Sequence, residues 1–178
     1  MKVKVINRSA NELPQYETPD SVGMDVRAEL AGIKEKFLFN SEVLKEKTTS
    51  VEDTEIPVVT GICIHPGGRA LIPTGIYTAF DRNLEVQVRS RSGLALKNGV
   101  FVLNSPGTIE GDYRNEYGVI LMNMGNEDFI IRQGDRIAQL VLNRVERIEW
   151  DVVDSLDETE RKGGFGSTNY DKDGNYRQ

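Results

Sequence analysis

Residues 104–116, "NSPGTIEGDYRNE", crowd three acids, two glycines, a proline and one tyrosine into thirteen positions. The run is too polar and too irregular for a plain strand, and two readings stand. It is an acidic surface turn, or Glu110 and Asp112 act on something that Tyr113 and Asn104 hold.

Four further stretches carry residues able to do chemistry, each with a plainer alternative beside it. "RKGGFGST", 161–168, sets three glycines, two hydroxyls and two cations around one phenylalanine. Backbone N–H groups freed by glycine can converge on an anion, and Ser167 and Thr168 add hydroxyl donors. Arg161 can pair bidentately with a terminal phosphate, and Phe165 can stack on a base. No G-x-x-x-x-G-K-[ST] is present, so this is not a Walker loop. The alternative is a flexible terminus with one aromatic. In "VRSRSGLALKNGV", 88–100, Arg91 and Ser92 fall where a short helix begins, a natural phosphate position or simply a cap with solvated arginines. Asp25 in "GMDVRA" sits on a strand's polar face. Asp135, Arg136 and Gln139 in "QGDRIAQLVL" combine turn chemistry, an ion pair and a strand amide.

Bulk properties narrow what such groups can do. The chain has 178 residues, 28 % charged and 38 % hydrophobic, which fits one soluble globular domain. No apolar run reaches the roughly 20 residues that span a bilayer, and "MKVKVINRSANELP" has no signal-peptide core. The net charge of −6 argues against a general nucleic-acid surface, though not against one local phosphate pocket. The single cysteine, Cys63, excludes an internal disulfide and any cysteine-based zinc site, and points to a reducing cytoplasm. His65, the one histidine, lies beside Pro66 and Gly67 in an expected loop. Acid–base work then falls to carboxylates or tyrosine.

The positioning elements read as mostly β. "KVKVI" at 2–6 alternates like a half-buried strand, and 69–80, 83–90 and 117–125 are further strands bounded by turn formers. "FIIRQGDRIAQLVLNRV" divides into two strands at Gln133-Gly134-Asp135. Ser92 is expected to cap a helix of about two turns that closes at Gly99. Residues 32–55 are dense in Lys and Glu, with no clean period, and read as a solvated surface excursion. The segment from Asp157 is poor in core formers. Many short strands predict an all-β sandwich or barrel.

In this order along one chain the motifs are specific. "SVGMDVRA", "RSRSGLALKNGV", "NSPGTIEGDYRNEYGVILMN", "GDRIAQLVL" and "RKGGFGST" resemble, in sequence, the five motifs of the trimeric all-β deoxyuridine triphosphatases. The resemblance implies a jelly-roll β domain over 1–156 with a charged insertion at about 32–60, and a mobile tail, 157–178, closing over the nucleotide. It implies a homotrimer with active sites shared between subunits, and hydrolysis of dUTP to dUMP and pyrophosphate with Mg2+. By the same resemblance Asn104, Gly107, Thr108, Ile109 and Tyr113 bind deoxyuridine on a β-hairpin. Asn104 reads the uracil edge, and Tyr113 lies against the deoxyribose. Arg91, Ser92, Gly93 and Gln139 contact phosphates, and Arg161, Phe165, Gly166, Ser167 and Thr168 belong to the closing tail. Glu110 is the implied catalytic carboxylate, and Asp25 an outer-sphere partner of a metal held mainly by the substrate's phosphates. Neither nucleic acid nor membrane is an implied partner.

The chain departs from the family pattern in places. Glu110 stands where aspartate is usual and extends the carboxylate by about 1.5 Å. Gly111 is expected to give the hairpin room for that length, or Asp112 to compensate. Asn115 stands where glycine is common and is expected to tolerate positive φ. Met24 and Asn169 are milder departures. Two other functions are weighed: the related dCTP deaminase on the same fold, whose motif pattern lacks the full "GGFGST" tail present here, and a nucleotide-binding regulatory protein with weakened catalysis.

Overall fold

Alternation of apolar and polar residues builds the strands. The computed structural model describes residues 2–49 and 55–160. Its strands are β1 (Lys4–Asn7), β2 (Met24–Arg27), β3 (Leu38–Thr49), β4 (Glu55–Pro73), β5 (Ile76–Ala79) and β6 (Leu84–Arg89). The helix α1 (Ser92–Asn98) follows, then β7 (Val100–Val102), β8 (Gly107–Glu110), β9 (Gly118–Asn123), β10 (Phe129–Ile131) and β11 (Arg136–Arg144). One sheet runs β10-β4-β9-β7 with β3 added on β4, a second runs β2-β11-β6-β8, and β1 pairs with β5.

The two larger sheets meet over one core. Ile62, Ile64 and Ile72 of β4 and Leu121 of β9 join Val86 and Val88 of β6, Ile109 of β8 and Leu140 of β11 in a single buried cluster. Along β6 the residues alternate between buried and half-exposed, as a strand with one face on a core must. This is the expected all-β jelly-roll sandwich with one short helix.

Four expectations are corrected. β1 forms, but all four of its residues are exposed, because it pairs only with β5 and no second layer covers it. From Leu38 the described part of the charged stretch is strand: β3 pairs with β4 from Leu38↔Ala70 to Thr49↔Glu55, making a long antiparallel ribbon. Its Lys and Glu residues conceal β-formers such as Phe39, Val43 and Leu44, which a regular partner strand recruits. That partner, "IPVVTGICI" at 56–64, is itself a β-branched run that the sequence reading passed over. His65 lies within β4, at a bulge where residues 65–68 face only Asn40 of β3. Finally, Arg91 and not Ser92 occupies the N-cap of α1, and no side chain caps it. Ser92 already has helical geometry, so its hydroxyl is one residue too late to cap. The other end is as read: Gly99 is left-handed (φ 68°), and its N–H reaches Ala95 and Leu94 carbonyls.

The turn at 132–135 also forms, with Gly134 at φ 81° and Asp135 N–H donating to Arg132 O. It sends the chain from one sheet to the other, since β10 pairs with β4 and β11 with β2 and β6. The chain divides into a unit of Met1–Glu146 and a unit of Arg147–Gln178. In the latter, 147–160 is exposed and has neither helix nor strand. Among the described residues no helix is long and apolar enough to cross a membrane.

Candidate active site

Two clusters form on the sheet β2-β11-β6-β8. The first is built around Asp25, at the middle of β2. Register places Gln139 of β11 opposite Asp25, and Arg89 of β6 opposite Gln139. Asp25 Oδ1 accepts from Arg91 Nε (3.2 Å) and Gln139 Nε2 (3.3 Å), and Oδ2 pairs with Arg136 Nη1 (3.2 Å). Arg91 Nη1 also donates to the carbonyl of Arg136 at 3.0 Å. Three motif residues from distant parts of the chain thus meet at one carboxylate. The pairing leaves two guanidinium groups beside one carboxylate, a local cationic excess that suits polyphosphate. The sequence reads Arg136 as turn chemistry and an ion pair, without placing it in the site. Its signal is positional, since it opens the strand that pairs with the Asp25 strand.

The second cluster is a cavity of about 170 Å³ along β8. Asn104, Gly107, Thr108, Ile109, Glu110 and Tyr113, all expected in the site, line it together. A Cβ on Gly107 would stand 3.2 Å from Asn104 Nδ2 and 3.3 Å from Val88 Cβ, so only glycine lets the amide lie this close to the strand. The Asn104 amide and the Glu110 carboxylate take no hydrogen bond from the described residues. Glu110 and Thr108 point outward from β8 while Gly107 and Ile109 point inward. Asp112 does not line the cavity.

Tyr113 is fixed from both ends: its N–H donates to Glu110 O (3.1 Å) and its hydroxyl to Glu116 O (3.2 Å). Glu116 in turn accepts from the Gly75 and Thr74 N–H groups at 2.6 and 3.2 Å, which ties the loop to the β4–β5 corner. Of the three acids in the opening run, this one is structural, and no residue-type signal separates it from the others. Tyr117 sits behind the cavity with its hydroxyl bonded to that of Thr78, and burial pushes its phenol up.

Several expectations change here. β8 pairs with β6, and β9 with β4 and β7, so the third motif spans both sheets and is not a paired hairpin. Gly111 gives no slack for a longer acid, because a Cβ there would lie 2.5 Å from Phe80 O and the backbone is held close. Asn115 needs no left-handed conformation, since Asn40 alone among described non-glycine residues has positive φ. Ser92 and Gly93 open α1 beside Arg91, and nothing lies within 4 Å of a Cβ built on Gly93. Arg161, Phe165, Gly166, Ser167 and Thr168 lie outside the described residues.

The two clusters share one sheet, with Asp25 on its β2 edge and the cavity along its β8 edge. An all-β sandwich bearing a nucleoside-sized cavity and a cationic cluster defines a nucleotide-handling protein. The profile of the dUTPase family matches residues 55–169, and the chain belongs to that family. It is 42 % identical over 171 residues to the deoxyuridine 5'-triphosphate nucleotidohydrolase of Finegoldia magna, covering 96 % of this chain and 100 % of that one. The protein of the same name from Fusobacterium nucleatum is 43 % identical, covering 94 % and 97 %. Among solved structures, a mutant dUTPase of phage phi11 of S. aureus, described with a structural Mg(II) ion, has a TM-score of 0.66 at 15 % identity over 89 % of this chain and all of that one. A mutant phage 80alpha dUTPase has 0.69 at 18 % identity, over 94 % and 98 %. The fold is therefore that of the dUTPases.

Proposed function

We propose that the chain hydrolyses dUTP to dUMP and pyrophosphate, with Glu110 activating the water that attacks the α-phosphorus. The observation that carries this is the cavity on β8, which collects an unengaged amide, an unengaged carboxylate and a braced tyrosine around a volume fit for a nucleoside. The amide of Asn104 both donates and accepts, as the uracil edge requires, and Tyr113 closes the space beside the sugar. Glu110 at the outward rim holds the water and takes its proton. Arg91, Ser92, Gly93 and Gln139 bind the polyphosphate, and Asp25 positions Arg91 and Gln139.

Both oxygens of Asp25 are already engaged by Arg91, Arg136 and Gln139. The hard oxygen donors suit Mg2+, but this engagement fits the ion only through its bound waters, with the phosphates as its direct ligands. When bound, the ion offsets phosphate charge and fixes the chain of phosphates for in-line attack. A homotrimer with active sites shared between subunits is part of the same reading. A cytoplasmic location is part of the same reading.

The test is product analysis. The purified protein is incubated with Mg2+ and either dUTP or dCTP, and nucleotides and pyrophosphate are resolved. Release of dUMP and pyrophosphate from dUTP, with dCTP untouched, supports the reading. Uracil nucleotides formed from dCTP, or tight dUTP binding without turnover, would overturn it.

A further inference from the structure

On the opposite sheet, away from both clusters, β3, β4 and β10 meet at a group of side chains with no part in the proposed hydrolysis. Register sets Glu42 of β3 and Ile130 of β10 opposite Cys63 of β4. His65, two residues on, shares the Cys63 face, and Asp128 immediately precedes β10. His65 Nδ1 lies 2.8 Å from Asp128 Oδ1 and 3.8 Å from Cys63 Sγ, while Nε2 lies 3.8 Å from Glu42 Oε1. One donor atom each from Glu42, Cys63 and His65 falls within 4.8 Å of the others. Cys63 is buried, and Glu42, His65 and Asp128 reach outward from it.

We propose that Cys63, His65 and Asp128 hold a Zn2+ ion between β4 and the start of β10, with Glu42 of the β3 ribbon accepting from the His65 Nε2–H. Bond lengths of about 2.3 Å to sulfur and 2.0–2.1 Å to nitrogen give a tetrahedral S···N edge near 3.5 Å and an N···O edge near 3.3 Å. The observed Nδ1···Sγ distance needs a few tenths of an ångström of contraction, and the Nδ1···Oδ1 contact must open by about 0.5 Å. On binding, the Cys63 thiol gives its proton to solvent, and the imidazole ligates neutral through Nδ1, keeping its proton on Nε2 beside Glu42. Thiolate and imidazole select a borderline ion over Mg2+ or Ca2+, which take oxygen ligands, so this site is chemically separate from the phosphate site. Three protein donors leave the fourth tetrahedral position to a water, and Glu42 fixes the ring from its other nitrogen. One cysteine suffices because β4 itself places His65 beside Cys63 and the approach to β10 adds Asp128.

The chain's only thiol makes the test specific. Chelator-stripped full-length protein is titrated with Co2+ in the absence of nucleotide. One Co2+ per chain, with a thiolate-to-cobalt charge-transfer band and tetrahedral ligand-field bands that Zn2+ displaces, is the expected result. Cys63→Ser removes the charge-transfer band. His65→Gln and Asp128→Asn weaken binding by at least the 10- to 100-fold that losing even an outer partner costs. Zn2+ raises the melting temperature of the parent chain but not of Cys63→Ser, and Mg2+-supported dUTP hydrolysis is the same in all four proteins. Saturating Co2+ without a thiolate band in the parent chain overturns the proposal, as does an unchanged affinity in folded His65→Gln.

Discussion

Replacing Asp25 by asparagine should damage phosphate handling while sparing the nucleoside cavity. The Asp25 carboxylate accepts from Arg91 and Gln139 on one oxygen and from Arg136 on the other. Asparagine keeps one acceptor oxygen and turns an N–H2 group toward the remaining donors. One charge-assisted hydrogen bond, about 1.5–3 kcal/mol, is lost and a repulsive contact takes its place. The Asp25 and Arg91 side chains are only 22 % and 24 % exposed, but Arg136 is 44 % exposed, so its share is screened. About 2 kcal/mol remains, and if all of it is felt in the placement of Arg91, kcat/KM for dUTP falls about thirtyfold. The melting temperature falls by about 4–8 °C on the same figure. The assay is pyrophosphate release at low dUTP, paired with dUMP binding by calorimetry. The affinity for dUMP should hold within about twofold, the ~0.5 kcal/mol over which separated sites are independent. An unchanged kcat/KM, or dUMP binding weakened as much as catalysis, would refute the reasoning.

Two other substitutions probe the remaining supports. Gly107→Ala brings a methyl within 3.2 Å of the Asn104 amide and 3.3 Å of Val88, and because Val88 is fixed in β6 the amide must yield. A shift of about a third of an ångström corresponds to roughly a fivefold rise in KM for dUTP, with kcat little changed in steady-state kinetics. Glu29 is buried; desolvation works against its ionised form, but N–H donors from Ala10, Gln133 and Ala31 outweigh that and hold its carboxyl below the ordinary value. Its stabilisation is therefore present above the unfolded carboxyl value and lost as pH falls through the lower, folded one. Glu29→Gln should cost about 1–3 kcal/mol near neutrality and flatten the acid limb of stability, read from urea midpoints against pH; parallel curves for both proteins would count against this.

β6 and β9 are legible because alternation reports the face that meets the core, whereas the core strand at 56–64 and the short β8 carry no such alternation. β3 was illegible because a ribbon with exposed faces can be written in Lys and Glu. The candidate residues stand out by type and motif, but the convergence of Asp25, Arg91 and Gln139 does not. Asp25 and Arg91 are 66 positions apart, and Asp25 and Gln139 are 114 apart, so only strand order could bring them together. Arg136 and Glu116 escaped for the same reason, since each acts through a partner on another strand. Gly111 is held close to the Phe80 carbonyl and offers no room for a hairpin retreat behind Glu110. Glu110 sits at the cavity rim with an unengaged carboxylate, whereas Asp112 lies off the cavity.

That makes Glu110 the residue on which the account turns. The measurement is single-turnover hydrolysis of dUTP in H2 18O with Mg2+, by the parent chain and by Glu110→Gln, alongside binding of a non-hydrolysable dUTP analogue. The account predicts 18O in the phosphate of dUMP and none in pyrophosphate. It also predicts a rate loss in Glu110→Gln of about 10²–10⁴-fold, the usual contribution of a general base, with analogue binding preserved. Label in pyrophosphate, or a Glu110→Gln protein that turns over at the parent rate, would contradict it.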